Sequence, residues 1–184
     1  MQRICVFCGS SAGANPRYAQ AAQELGAALA RRGIGVVYGG TTIGLMGQVA
    51  QAALDAGGQA TGVVPDFLTR KEIAHDGLTA LHVVPSLHER KQLMERLSDA
   101  FIAIPGGMGT LDELSEMLTW TQLGLHHKPV GVLNVNGFFD RMLEFMDHMV
   151  REGFLRPGHR NLLHVADTTE GLLAMFEAAQ SAAG

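Results

Sequence analysis

The sequence predicts a doubly wound α/β domain, a Rossmann-like parallel sheet with helices on both faces. Two observations carry this. Short, nearly continuous apolar runs alternate with segments of helical periodicity along the whole chain, the pattern of strands buried on both faces. Three small-residue loops, Gly9-Ser10-Ser11, Gly39-Gly40 through Gly47, and Gly106-Gly107-Met108-Gly109-Thr110, each follow one of those runs. They therefore gather at the carboxyl edge of the sheet, where such folds bind ligands.

The elements follow in order. Residues 3–8 read as a strand. Asn15 followed by Pro16 is a helix cap and a favoured first helical residue. That helix runs to about Arg32 and Gly33 ends it. A strand at 34–38 leads into the second glycine loop, and a helix near 45–56 stops at Gly57-Gly58. Further strands are expected near 60–64, 80–84, 100–104 and 130–134, with a short one near 163–166. Helices are expected near 87–97, 110–124, 138–151 and 169–181. Ser86-Leu87-His88-Glu89 is a capping box, and Thr110-Leu111-Asp112-Glu113 reads as a second. No internal repeat or low-complexity linker interrupts the chain. Its 184 residues suit one domain with a full core, so 1–184 is read as a single nucleotide-binding domain.

Composition removes several classes of function. Hydrophobic residues make up 47% of the chain, which argues against disorder, and the net charge of −4 leaves no basic footprint for nucleic acid. No apolar run approaches the ~20 residues of a membrane span. The amino terminus enters a strand without the pattern of a signal peptide. The expectation is a soluble, cytoplasmic protein with neither membrane nor nucleic-acid partners. Cys5 and Cys8 have redox-like spacing, but they fall in the strand pattern Ile4 to Cys8 and point to opposite faces. They read as buried structural thiols. Without a second cysteine pair, no structural zinc is expected.

The densest chemical signal is Pro105-Gly-Gly-Met-Gly-Thr-Leu-Asp-Glu113. A bare glycine turn opening a helix offers free N–H groups at the positive end of the helix dipole. That is a cradle for an anion, most often phosphate. The pattern is neither a P-loop nor a full G-x-G-x-x-G, which argues against ATP hydrolysis and a full dinucleotide site. Glu113 stands beside the cradle, although capping alone explains it equally well. Arg90 falls on the apolar stripe Leu87, Met94, Leu97 and needs a partner there. Two partners remain open, a core carboxylate or an anion in the cleft. Glu116, one turn past Glu113, reads plainly as the polar edge of a packed stripe. Phe101 and Trp120 read as core, and His126-His127 as a polar helix exit.

These residues resemble a known family. Pro105 to Glu113 fits the P-G-G-x-G-T-x-x-E signature of the Lonely Guy family, cytokinin riboside 5′-monophosphate phosphoribohydrolases often labelled lysine decarboxylase-like. The resemblance extends over Val6-Phe7-Cys8-Gly9-Ser10-Ser11, Tyr38-Gly39-Gly40, Gly44-Leu45-Met46-Gly47, His88-Glu89-Arg90-Lys91 and Thr119 to Gly124. It implies a homodimer that takes a nucleoside 5′-monophosphate and cleaves its N-glycosidic bond, without metal or organic cofactor. Arg90 and Glu113 match the family's catalytic pair. The expected substrate contacts are Gly9, Ser10, Gly39, Gly40, Thr41, Lys91, Gly106, Gly107, Met108, Gly109, Thr110 and Glu116. Thr41 departs from the family's usual third glycine, where a side chain narrows the loop or adds a hydroxyl to the phosphate site. Two other readings compete. A non-catalytic nucleotide or molybdenum-cofactor carrier would share the glycine loops but has no need of Arg90 with Glu113. A pyridoxal-phosphate decarboxylase needs a free lysine, and the chain has only Lys71, Lys91 and Lys128.

Overall fold

A seven-stranded, all-parallel sheet organises the described residues in the order β4-β3-β2-β1-β5-β6-β7. The computed structural model describes residues 1–69, 75 and 77–183. The strands are β1 (Arg3–Phe7), β2 (Gly35–Tyr38), β3 (Ala60–Pro65), β4 (Ala80–Val84), β5 (Ala100–Ala103), β6 (Val130–Leu133) and β7 (Leu163–Ala166). The helices are α1 (Pro16–Arg31), α2 (Gly44–Asp55), α3 (Asp66–Thr69), α4 (Leu87–Leu97), α5 (Met108–Gln122), α6 (Asp140–Arg151), α7 (Pro157–Arg160) and α8 (Thr169–Ala183).

Alternation along β1 divides the core in two. Ile4, Val6 and Cys8 pack with α1, α2 and α8, whereas Cys5 and Phe7 pack with α4, α5 and α6. Both cysteines are buried and unpaired, on opposite faces as the strand pattern requires. The chain builds outward from β1 to the β4 edge, then crosses back to place β5 on the other side of β1, with Cys5 opposite Phe101. The loops after β1 and β5 therefore leave in different directions and open a crevice between them. Gly9 N–H donates to the Pro105 carbonyl across its floor at 3.1 Å.

Four details differ from the sequence reading. Helix α5 begins at Met108, not 110, with Gly107 as its cap residue. Thr110 lies inside the first turn, so Thr110 to Glu113 is not a capping box. The glycine turn enters the helix earlier because its bare backbone needs no side-chain cap. Leu87 is 51% exposed, and the buried side of α4 is instead Arg90, Leu93, Met94 and Leu97. At the sheet edge, β4 leaves Leu81 and Val83 exposed rather than covered on both faces. Helix α6 starts at Asp140, behind a 3-10 turn at Val135–Gly137, because Asn134 accepts from Phe139 N–H and donates to Asp140. The caps at Asn15 and Ser86 form as expected, accepting from Arg17 N–H and Glu89 N–H at 3.0 and 3.2 Å. No helix among the described residues is long and apolar enough to cross a membrane.

Close packing of α1 on α2 depends on Gly26, where a Cβ would run into the Val49 carbonyl oxygen. Alanine ordinarily favours a helix over glycine by ~1 kcal/mol. Here Gly26→Ala is expected to destabilise by about 1–3 kcal/mol through overpacking. The denaturation midpoint reports it, and an unchanged or higher midpoint would show that the two helices separate freely.

Candidate active site

Arg90 and Glu113 meet at the carboxyl edge of the sheet. Arg90 Nη1 lies 2.9 Å from Glu113 Oε1, with the two side chains only 14% and 10% exposed. Arg90 Nε donates to the Val63 carbonyl at 3.0 Å, which fixes the guanidinium at a second point. The guanidinium crosses the face of Gly39, where a Cβ would strike Arg90 Nη2 and Met46 Sδ. The stripe anomaly thus resolves in both ways. Arg90 pairs with a buried carboxylate and also lines the cleft.

The cleft holds about 220 Å³, between Cys8, Gly9, Ser10 and Met46 on one side and Arg90, Gly107 to Thr110 and Glu113 on the other. A neighbouring slot of about 210 Å³ shares Gly9, Ser10 and Gly107 and continues to Gly106, Tyr18 and Phe138. A larger cavity, about 790 Å³, lies at the opposite edge of the sheet around Lys128, Glu95 and Asp99. Its charges are already engaged. Lys128 pairs with Glu95, and Asp99 accepts from the Gln2 and Arg3 amides.

The floor of the cleft is the start of α5. Gly107 brings no capping side chain, and the first bond within the helix is Leu111 N–H to the Gly107 carbonyl at 3.2 Å. The earlier N–H groups therefore remain for an anion. A Cβ built on Gly107 or Gly109 would touch nothing within 4 Å. Packing does not ask for glycine there, and Gly109 weakens the first turn by up to ~1 kcal/mol relative to alanine. Gly106 is different, since a Cβ there would strike Thr110 Oγ1. Thr110 is thereby buried under the turn.

Burial disfavours the charged form of both titratable acids that line the cleft, the Glu113 carboxyl and the Cys8 thiol. Burial raises the Glu113 carboxyl above its ordinary value; Arg90 opposes that rise, Asp112 adds to it, and Lys91 opposes it. Burial also pushes the Cys8 thiol far up, so it stays protonated and is no nucleophile.

The remaining expected residues divide into two groups. Gly9, Ser10, Gly107, Met108, Gly109 and Thr110 line the cleft with the charged pair. Gly39 sits beneath Arg90, and Gly40 adopts a positive φ while its carbonyl accepts from His75 N–H at 3.1 Å. Thr41 is buried, its hydroxyl 3.6 Å from Met46 Sδ, so it faces sulfur rather than the cradle. Lys91 and Glu116 stand behind the cleft as an ion pair, 2.8 Å apart. Just past α5, His126 is a buried ring against Phe101 that accepts from Lys128 N–H, while His127 beside it is exposed. Sequence reading missed the Val63 carbonyl and the Asp112 partner of Lys91. Nothing in the sequence marks a backbone acceptor.

A doubly wound sheet with an uncapped glycine helix start and a buried acid–arginine pair defines an α/β protein whose carboxyl edge has the form of an anion cradle. Comparison with known proteins narrows this. The family model described as "Possible lysine decarboxylase" matches residues 46–176. A probable cytokinin riboside 5′-monophosphate phosphoribohydrolase of Oryza sativa subsp. japonica is 49% identical over 176 residues, 96% of this chain and 72% of that protein. A cytokinin riboside 5′-monophosphate phosphoribohydrolase of Arabidopsis thaliana is 48% identical over 176 residues, 96% of this chain and 83% of that protein. The molybdenum cofactor carrier protein of Chlamydomonas reinhardtii superposes with a TM-score of 0.73 over 98% of each chain at 23% identity, a likeness of fold alone. The chain belongs to the Lonely Guy family.

The Gly39 contact generates a prediction. In Gly39→Ala the guanidinium must leave its place, separating Arg90 from Glu113. Breaking a buried pair typically costs about 3–5 kcal/mol, and relaxation lowers the expected loss to about 2 kcal/mol. Thermal denaturation measures it, and an unchanged melting temperature would mean that Arg90 reaches Glu113 by another path.

Proposed function

We propose that this chain hydrolyses the N-glycosidic bond of a nucleoside 5′-monophosphate, a cytokinin riboside 5′-monophosphate or AMP, to free base and ribose 5-phosphate. One observation carries the reading. A buried carboxylate paired to arginine faces a helix start whose glycines no packing contact requires. The relatives' activities point the same way. The 5′-phosphate rests on the Gly107–Thr110 amides and supplies binding energy remote from the reacting bond. The cleft is smaller than the ~300–1,000 Å³ of a typical ligand site, so it takes the ribose phosphate while the base extends outside it.

The chemistry follows from the charges. As the C1′–N bond breaks, its electron pair leaves with the base and the sugar becomes cationic. Ionised Glu113 stabilises that cation and orients the water whose oxygen bonds to C1′. The proton released by that water ends on the base. Arg90 holds the carboxylate in place and faces the anionic substrate.

A carrier has no use for the buried pair. The decarboxylase description fares worse. The two lysines among the described residues are both engaged, Lys91 with Asp112 and Glu116, and Lys128 with Glu95. Neither lines the cleft.

The chain also acts as a homodimer, with α5 at or near the interface. The α5 stripe runs on to Leu123, which is 65% exposed, and Leu125, Phe145 and Phe154 are exposed as well. Helix α6 carries Met142, Leu143 and Met146, yet none of its residues is fully buried in one subunit. Static light scattering at micromolar concentration is expected to give twice the chain mass. A monomer mass would overturn the assembly.

Glu113→Gln keeps shape and an acceptor for Arg90 but removes the charge. Turnover is expected to fall by ~100-fold or more with little change in nucleotide binding. In the unsubstituted protein, activity falls as pH drops through the Glu113 pKa, and burial sets that midpoint above the ordinary 4.5. The acid limb therefore lies above 4.5 and is absent from Glu113→Gln. Near-normal release of ribose 5-phosphate by folded Glu113→Gln would remove the glutamate from the chemistry.

A further inference from the structure

Two consecutive cations of α4 bind three carboxylates of α5. Arg90 takes Glu113, while Lys91 Nζ lies 2.9 Å from Asp112 Oδ2 and 2.8 Å from Glu116 Oε2. Asp112 precedes Glu113 and Glu116 follows one turn later, so the two acids held by Lys91 bracket the one held by Arg90. The Lys91 side chain is only 13% exposed, and its ammonium is committed to both carboxylates. It does not line the cleft.

We propose that Lys91 is a positioning residue acting through Glu113: its ammonium ties α4 to α5 beside the Arg90–Glu113 pair and offsets the carboxylates that flank Glu113. This rests on Glu113 being the working carboxylate. Among the described residues, the charged and titratable groups acting on Glu113 are Arg90 and Lys91 from α4, Asp112 from α5, and the thiols of Cys5 in β1 and Cys8 just past its end. Burial holds both thiols protonated, so they bring no charge. With Lys91 removed, Glu113 would keep its pair with Arg90, while Asp112 and Glu116 would lose the ammonium that pairs them. The Glu113 carboxylate would then be harder to ionise, and its helix would lose a tether beside the cleft. A lysine that bound the substrate phosphate would instead have to leave both carboxylates, and its removal would weaken binding.

The test uses the full chain, with carbon-13 in the glutamate carboxyls, and follows Glu113 by NMR titration alongside steady-state kinetics on AMP and a prenylated nucleotide. Lys91→Met is expected to move the Glu113 midpoint up by about one pH unit, the usual effect of losing a nearby opposite charge. It should lower kcat by about tenfold and leave KM within about twofold. Adding Asp112→Asn to Lys91→Met should return the midpoint toward its original value. Lys91→Arg keeps the charge and should recover most of the lost kcat. If Lys91→Met does not fold, Asp112→Asn alone should move the midpoint down. An unmoved midpoint in either single variant overturns the proposal, as does a raised KM with unchanged kcat. The NMR readout needs no turnover, so absence of nucleotide hydrolysis would sink the proposed activity while the titration still decides the role of Lys91.

Discussion

The reversal of strand order at β1 is the constraint on which the rest depends. Parallel pairing of β1 with β5 forces the loops after them apart, and the Gly9 to Pro105 hydrogen bond closes the floor of the gap. Into that gap the fold delivers pieces remote in sequence: Gly9 and Ser10 from the first loop, Arg90 from α4, and the glycine turn with Glu113 from α5. Each comes from an element whose own packing is ordinary. Their meeting follows from crossover connections that return each strand to the same edge.

Charge burial sets the character of the site. A buried ion pair is seldom there for stability, since desolvation offsets most of its attraction. Arg90 is held instead by a set of local accommodations: the Val63 carbonyl, the missing side chain of Gly39 and the Glu113 carboxylate. Lys91 adds a second tie between the same two helices, on the side away from the cleft. The glycines divide by purpose along the same lines. Gly26, Gly39 and Gly106 are small because a neighbour is close, whereas Gly107 and Gly109 have open space above them. That space is what a ligand can use.

Much of this was legible in the sequence because it is periodic or local. Strand and helix positions followed from apolar runs and from caps such as Asn15 and Ser86. The anion cradle followed from the glycines and the apolar run before them. Other parts failed for physical reasons. Thr110 to Glu113 mimics a capping box, but a glycine turn can begin a helix without one. Leu87 fits the helical stripe, but it lies at the exposed start of α4 near an edge strand. His126 looks polar, yet one accepted amide hydrogen bond and a ring contact bury it.

By itself, then, the sequence determined the α/β class, the carboxyl-edge loops, the family and the short list of charged residues that need explanation. These depend on periodicity and on neighbours within a few positions, which a chain carries wherever it folds. Only the tertiary structure showed that Arg90 both pairs with Glu113 and lines the cleft, and it separated Glu113 from the role of helix cap. It turned the Thr41 hydroxyl toward Met46 and placed Lys91 on Asp112 and Glu116. Those outcomes depend on distances between residues far apart in the chain, where a single side-chain rotation exchanges a ligand contact for a structural one.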